Sequence, residues 1–197
     1  MDRASLVTAM AVSQSQATQI WHGQASALFN LGRYRSAIVR YEQVLAADPM
    51  DAKAWVEKGY ALCELKQYEA ALESFQQSIA LAPTQPRAWH GQGIVQAKTN
   101  DFEAALASFD RTIALDQNDG KAWRNRGTAL LRLHRYQEAA DCFDQLIQQE
   151  PDNYYAWYER AIALHLDGEG GATAAFLVAE RSRAQALYAM LRRAFMR

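Results

Sequence analysis

Apolar and small residues recur along this chain with two superposed periods. Within short stretches they fall at i, i+4 and i+7, the spacing of one stripe on an α-helix. Between stretches the whole pattern returns every 34 residues, at Trp21, Trp55, Trp89, Trp123 and Trp157, which are all the tryptophans of the chain. Four positions after each stands a small residue: Ala25, Gly59, Gly93, Gly127 and Ala161. Seven after stand Leu28, Leu62, Gln96, Leu130 and Leu164. An aromatic follows at +13 (Tyr34, Tyr68, Phe102, Tyr136) and an alanine at +16 (Ala37, Ala71, Ala105, Ala139). A second aromatic stands at +20 (Tyr41, Phe75, Phe109, Phe143), and Pro49, Pro83 and Pro151 stand at +28, with Gln117 in the remaining place.

Each unit therefore predicts two helices. The first carries the tryptophan, the small residue and the leucine; the second runs from the aromatic at +13 to about +26, and the proline ends it. The small residues have a packing reason. Two helices approach closely only where side chains are small, and the opposing aromatic fills the space left. No alternation at period two competes, so no strand is expected.

In these residues the chain resembles the tetratricopeptide repeat family. The resemblance covers about Thr18 to Pro151 in four full units, then the first helix of a fifth, from Tyr154 to about Leu166. It implies an all-α solenoid of antiparallel helix pairs, wound in a right-handed superhelix with a concave face. Residues 1–17 are expected to form an N-terminal arm or short helix ahead of the repeats at 18–166. The Gly-rich turn at 167–171 interrupts the fifth unit, and the basic stretch 172–197 is expected to be a C-terminal capping helix, since a last repeat has no neighbour to cover it.

Composition narrows the functional classes. With 21 basic against 22 acidic side chains the formal net charge is −1, so no whole-molecule field recruits nucleic acid or anionic lipid. Neither partner is expected. Cys63 and Cys142 are too few for a disulfide framework or a four-cysteine zinc site and read as packed, reduced thiols. A reducing, cytoplasmic setting is the expectation that follows. No run approaches the roughly 20 apolar residues of a membrane span. The short apolar piece Ala4–Val12 contains Thr8 and is preceded by Arg3 and Asp2, which reads against a secretory signal.

A helix-pair repeat has no built-in catalytic cleft, so function is sought on its exposed stripe. Positions −2, +1, +5 and +9 from the tryptophan lie roughly 100–180° around the helix from it, in a stripe centred at about 140°. The resemblance implies that they line the concave groove. Across the middle repeats they read Lys53, Arg87, Lys98, Lys121, Arg124 and Arg132, with Glu64 opposing, together with Tyr60, His90 and Thr128. At the C-terminal end they read Tyr155, Tyr158 and Ile162. The expectation is an extended acidic peptide or partner loop, its carboxylates held by residues such as Arg87 and Arg124, with an apolar anchor at the aromatic end. One subfamily clamps chaperone C-terminal tails with Lys at +1, Asn at +5 and then Asn at +2 of the next unit. His22, Ser26 and Glu57, or Arg124, Thr128 and Glu159, do not make that set, so chaperone-tail binding is not assigned.

Catalysis, metals and cofactors are not expected. His22 and His90 share a wheel position but lie two repeats apart, roughly 20 Å on helix spacing, too far for ligand bonds of about 2 Å. His134 falls in a turn, and no HExxH, GxSxG or Walker-type loop occurs. The stretch from Phe176 to Arg197 carries five arginines and one glutamate. It offers a second reading, a structural module that self-associates through this helix into a homo-oligomer. Ala179–Leu187 is also similar to helices that precede a CHAT peptidase domain in some bacterial repeat proteins.

Overall fold

The computed structural model describes residues 3–168, with side chains from residue 16 onward. Among the described residues nine α-helices follow one another with no strand: α1 (Arg3–Asn30), α2 (Tyr34–Ala47), α3 (Ala52–Glu64), α4 (Tyr68–Leu81), α5 (Pro86–Lys98), α6 (Phe102–Leu115), α7 (Gly120–Arg132), α8 (Tyr136–Gln149) and α9 (Tyr154–Leu166). Helices pair within a repeat (α1 with α2, α3 with α4, α7 with α8) and pack onward to the next (α2 on α3, α6 on α7, α8 on α9). The fold is the all-α array of helix pairs that the 34-residue period predicts. The chain forms two compact units, Met1–Val95 and Gln96–Arg197, and the division falls within α5.

One sequence boundary looks different in the structure, and another lies outside the described residues. The helix α1 is continuous from Arg3, so the stretch expected as a separate arm extends the first repeat's own helix. The Gly-rich turn is described only to Gly168, and the segment 172–197 expected as a capping helix lies outside the described residues.

From α3 onward the first helix of each repeat starts at the same place, and in three of them a side chain caps it. Four residues before the tryptophan, Asp51 accepts from the Ala54 amide (2.8 Å), Asp119 from Lys121 and Ala122 (2.9 and 3.1 Å), and Asn153 from Ala156 (3.2 Å). These side-chain caps satisfy amides that the first turn leaves without partners. At the other end, eleven residues after the tryptophan, the backbone turns left-handed: Gly32, Lys66, Asn100, His134 and Gly168 have φ of 71, 59, 64, 60 and 80°. The next amide then reaches back across the turn, Gln67 to the Leu62 carbonyl (3.0 Å) and Arg135 to that of Leu130 (3.0 Å). This is a Schellman closure, which caps the helix and reverses the chain.

The tryptophans lock consecutive repeats. The indole N–H groups of Trp55, Trp89, Trp123 and Trp157 donate to the carbonyls of Pro49, Pro83, Gln117 and Pro151 at 3.0, 2.9, 3.0 and 3.0 Å. Because the acceptor is backbone, glutamine at 117 serves as well as proline. The Gln149 amide also donates to that same carbonyl, at 3.0 Å.

The aromatics at +20 are the core. Tyr41, Phe75 and Phe143 are fully buried, and Phe109 nearly so. Burial of one such ring is worth about 1.5–3 kcal/mol. In unit 1 Phe75 sits among Val56, Leu62, Ala71 and Val95; in unit 2 Phe143 sits among Leu106, Leu130 and Leu164. Glycines make room for both rings. A Cβ on Gly59 would stand 2.7 Å from Phe75, one on Gly91 2.3 Å, and one on Gly127 2.8 Å from Phe143.

The buried stripe is not centred on the tryptophan. Trp55, Trp89, Trp123 and Trp157 are half-buried, whereas Ala54, Val56, Glu57 and Gly59 in α3, and Ala88, His90, Gly91 and Gly93 in α5, are buried. A first helix is covered by its own second helix and by the preceding one, so its buried arc widens to take in position +1 in unit 1.

Charged rungs tie the repeats together on another face. Position +3 of one repeat reaches position +21 of the repeat before it: Lys58 to Glu42 (3.0 Å), Arg126 to Asp110 (2.6 Å) and Arg160 to Asp144 (2.5 Å). The remaining rung, in unit 1, places glutamines at both positions, Gln76 and Gln92. There the Gln92 Oε1 is buried without a hydrogen-bond partner.

Candidate functional site

In unit 1 two of the predicted groove residues, Arg87 and Tyr60, are engaged within the chain. Arg87 makes two parallel bonds to Glu57, one Nη1 to Oε1 and the other Nη2 to Oε2 at 3.1 Å. Its guanidinium also lies over the Tyr60 ring, 5.0 Å from the centroid, and the Tyr60 hydroxyl donates to the Arg87 carbonyl at 3.0 Å. The expectation that Arg87 offers a free fork to a partner's carboxylate is therefore corrected: an internal carboxylate already takes it. His90 is corrected as well. It is only 9% exposed, because +1 falls inside the widened buried arc of α5. Lys53 and Arg87 are both exposed, and of the two only Arg87 is ion-paired among the described residues.

Other polar groups surround that cluster. Beneath it the buried Tyr41 phenol has a raised pKa: burial raises it most, the Ser26 hydroxyl draws it back, and Glu57 and Arg87 act in opposite senses. Nearby His22 and Asp51 meet at 2.7 Å. Burial pushes the Asp51 carboxyl up, but the His22 bond, the Ala54 amide and the His22 charge together hold it below its ordinary value.

Unit 2 is different. Lys98, Lys121, Arg124, Thr128, Arg132, Tyr155 and Tyr158 are all exposed. None of its four predicted cations takes part in an ion pair among the described residues. On α7, Lys121, Arg124, Thr128 and Arg132 follow one another at helical spacing. Thr128 bonds the Arg124 carbonyl at 3.0 Å, and Arg132 lies over the Phe102 ring at 4.8 Å. On α9, Tyr155, Tyr158 and Leu166 are 61, 45 and 50% exposed, with Ile162 half-buried between them. That is an apolar stripe one helical turn apart at each step.

Two carboxylates matter that the charge pattern at the groove positions did not single out, Glu57 and Glu159, both at +2. Glu159 is half-buried. Burial holds its carboxyl above the ordinary range and the charge of Arg124 draws it back, so the α9 carboxylate lies within electrostatic reach of the α7 cation. The column Gly23, Glu57, Gly91, Asn125, Glu159 carries the signal that could have found them: a position otherwise neutral becomes acidic twice.

Among the described residues no three His, Cys, Asp or Glu side chains gather as metal ligands. No described helix is long and apolar enough to cross a membrane. Cys63 and Cys142 are buried, and neither is in a disulfide. The Cys142 pKa is raised first by burial, with Arg126 drawing it back, which is the setting of a packed thiol rather than a nucleophile.

Helix pairs in tandem define a helical-repeat protein. The chain belongs to the tetratricopeptide repeat family: the family's sequence patterns match residues 22–86, 62–127 and 120–153. Repeats of this family generally mediate protein–protein contacts and are not themselves enzymes. These matches end at residue 153 and do not show the likeness expected of Ala179–Leu187 to helices that precede a CHAT peptidase domain. No curated protein matches the chain in sequence. Among solved structures, one of MamA superposes with a TM-score of 0.80 at 20% identity, covering 88% of this chain and 96% of that one. MamA from Desulfovibrio magneticus RS-1 gives 0.79 at 16% identity, covering 86 and 96%. YrrB, described as a TPR protein with an unusual peptide-binding site, gives 0.74 at 18% identity, covering 95 and 97%. At these identities the likeness is one of fold.

Proposed function

We propose that this chain is a non-enzymatic interaction scaffold, and that unit 2 holds an extended, acidic peptide or partner segment on the exposed face of α7 and α9. Lys121 and Arg124, with Lys98 and Arg132 as further cations, receive the carboxylates. Arg124 can do so with a bidentate fork. Tyr155, Tyr158 and Leu166 receive an apolar residue of the same segment, in the manner of an aromatic hot spot. The observation that carries this reading is that the unit 2 cations are exposed and not ion-paired among the described residues, while Arg87 in unit 1 is bound to Glu57. The peptide-binding site attributed to YrrB supports the general mode on this fold.

The test is fluorescence anisotropy with an acidic probe peptide carrying a tyrosine, at two salt concentrations. Lys121→Glu with Arg124→Glu should weaken binding about tenfold or more and flatten its salt dependence. Tyr155→Ala with Tyr158→Ala should weaken it at both salts alike. Unchanged affinity in the charge-reversed protein would remove the reading.

A further inference from the structure

Resting on that reading of unit 2, we infer that Glu57 is a built-in carboxylate that occupies the corresponding face of unit 1 and so decides where on this chain an acidic partner binds. The pair it makes with Arg87 has the form a peptide carboxylate would adopt. Two parallel N–H···O bonds engage one edge of the guanidinium, and the Tyr60 ring lies under its face. The carboxylate end is fixed, with the Glu57 side chain 11% exposed, while that of Arg87 remains 52% exposed. The cation faces solvent and would look available by exposure or by sequence, yet its fork is filled.

An intramolecular carboxylate competes at an effective concentration in the millimolar range or above. A dissolved partner at micromolar concentration does not displace it. Among the described residues unit 2 has no equivalent occupant. The +2 residue of α7 is the neutral Asn125, and Glu159 on α9 acts on Arg124 through charge without forming an ion pair within 4 Å. The same repeat chemistry thus gives one closed cationic face and one open one, and the difference lies in a single column of the repeat.

Neutralising Glu57 should therefore open a second site, made of Arg87, the exposed Lys53 and the Tyr60 ring. The experiment is isothermal titration of the full chain with a peptide of six glutamates followed by leucine and tyrosine, with far-UV circular dichroism on every variant. In the wild type one peptide should bind, and Arg87→Gln should change its affinity less than about twofold, since a filled fork contributes nothing to the partner. Glu57→Gln should raise the stoichiometry from one to two, and Arg87→Gln in that background should return it to one.

A natively folded Glu57→Gln protein that still binds one peptide overturns the inference. So does an Arg87→Gln protein whose binding falls about fivefold or more, and this second arm decides the matter if Glu57→Gln does not fold. Failure of the unit 2 reading has a different signature. There the wild type binds no peptide, or binds it with no sensitivity to reversal of Lys121 and Arg124.

Discussion

The interlocking of rings with missing side chains predicts that one substitution, glycine to alanine in a helix, has opposite signs at two positions of unit 1. In an exposed helix interior the change is worth about 1 kcal/mol of added stability. Gly23 on α1 has nothing within 4 Å of its Cβ position, so Gly23→Ala should deliver that gain. At Gly91 the same methyl would stand 2.3 and 2.4 Å from two carbons of the Phe75 ring. Carbon atoms prefer a separation of about 3.5–4.0 Å, so the ring would have to retreat by more than about 1 Å. It has little room to move: Phe75 is fully buried, and the Cβ position of Gly59 is 2.7 Å from the same ring carbon that the Gly91 methyl would crowd. Overpacking of a dense core costs about 1–3 kcal/mol, and an overlap of this size belongs at or above the upper end. After the helix gain is subtracted, Gly91→Ala should be destabilising by about 2 kcal/mol. In urea, with a slope of about 1–3 kcal/mol/M, that lowers the midpoint by about 1 M, read by circular dichroism against wild type and Gly23→Ala. Phe75→Leu should cost less in the Gly91→Ala background than alone, because the two changes share one volume. A Gly91→Ala midpoint at or above that of the wild type would refute the packing argument.

Three further outcomes follow from local geometry. Lys66 holds the left-handed position closing α3 at φ 59°; Lys66→Gly should stabilise by about 0.5–1 kcal/mol, the strain of a side chain there less the entropy of glycine, read as a rise in melting temperature. Installing the absent charged rung, Gln76→Glu with Gln92→Arg, should add about 0.5–1 kcal/mol, and a double-mutant cycle in urea should show the two changes coupled. The Glu159 carboxyl has a folded pKa above its unfolded one, so its contribution is present below the ordinary carboxylate value and lost as pH rises through the folded value. Glu159→Gln should therefore raise the melting temperature at pH 7 and reduce the difference between pH 4 and pH 7.

Much of the fold was legible because its determinants are local or strictly periodic. The caps at Asp51, Asp119 and Asn153, the left-handed turns and the tryptophan-to-carbonyl bonds each join residues a fixed number of positions apart. A 34-residue period in the sequence therefore states them several times over. What the sequence left open depends on the radial position of each helix. The small column at +4 was evident, but Gly91 at +2 was not, because one ring uses two glycines from successive first helices and only one of them belongs to a regular column. The wheel was anchored on the tryptophan, whose indole is half-buried and bonded at its rim. That choice placed position +1 outside, which holds for Arg124 and Tyr158 and fails for Val56 and His90.

The site was legible as a surface and not as a set of available charges, and the reason is general to such repeats. A basic residue on an open stripe reads the same in sequence whether its partner is a peptide or a neighbouring helix. Arg87 and Arg124 are both exposed arginines in the predicted groove, yet among the described residues one is held in a bidentate pair and the other is not. The deciding residue lies on another helix, 30 positions from Arg87 in one case and 35 from Arg124 in the other, at a place where the repeat alternates between no charge and a carboxylate. Net charge along the groove therefore overstates what unit 1 can offer a partner. On the reading proposed above, the groove arginines open to a partner are those left once the paired +2 carboxylate is subtracted, and among the described residues these lie in unit 2, alongside the stripe of Tyr155, Tyr158 and Leu166.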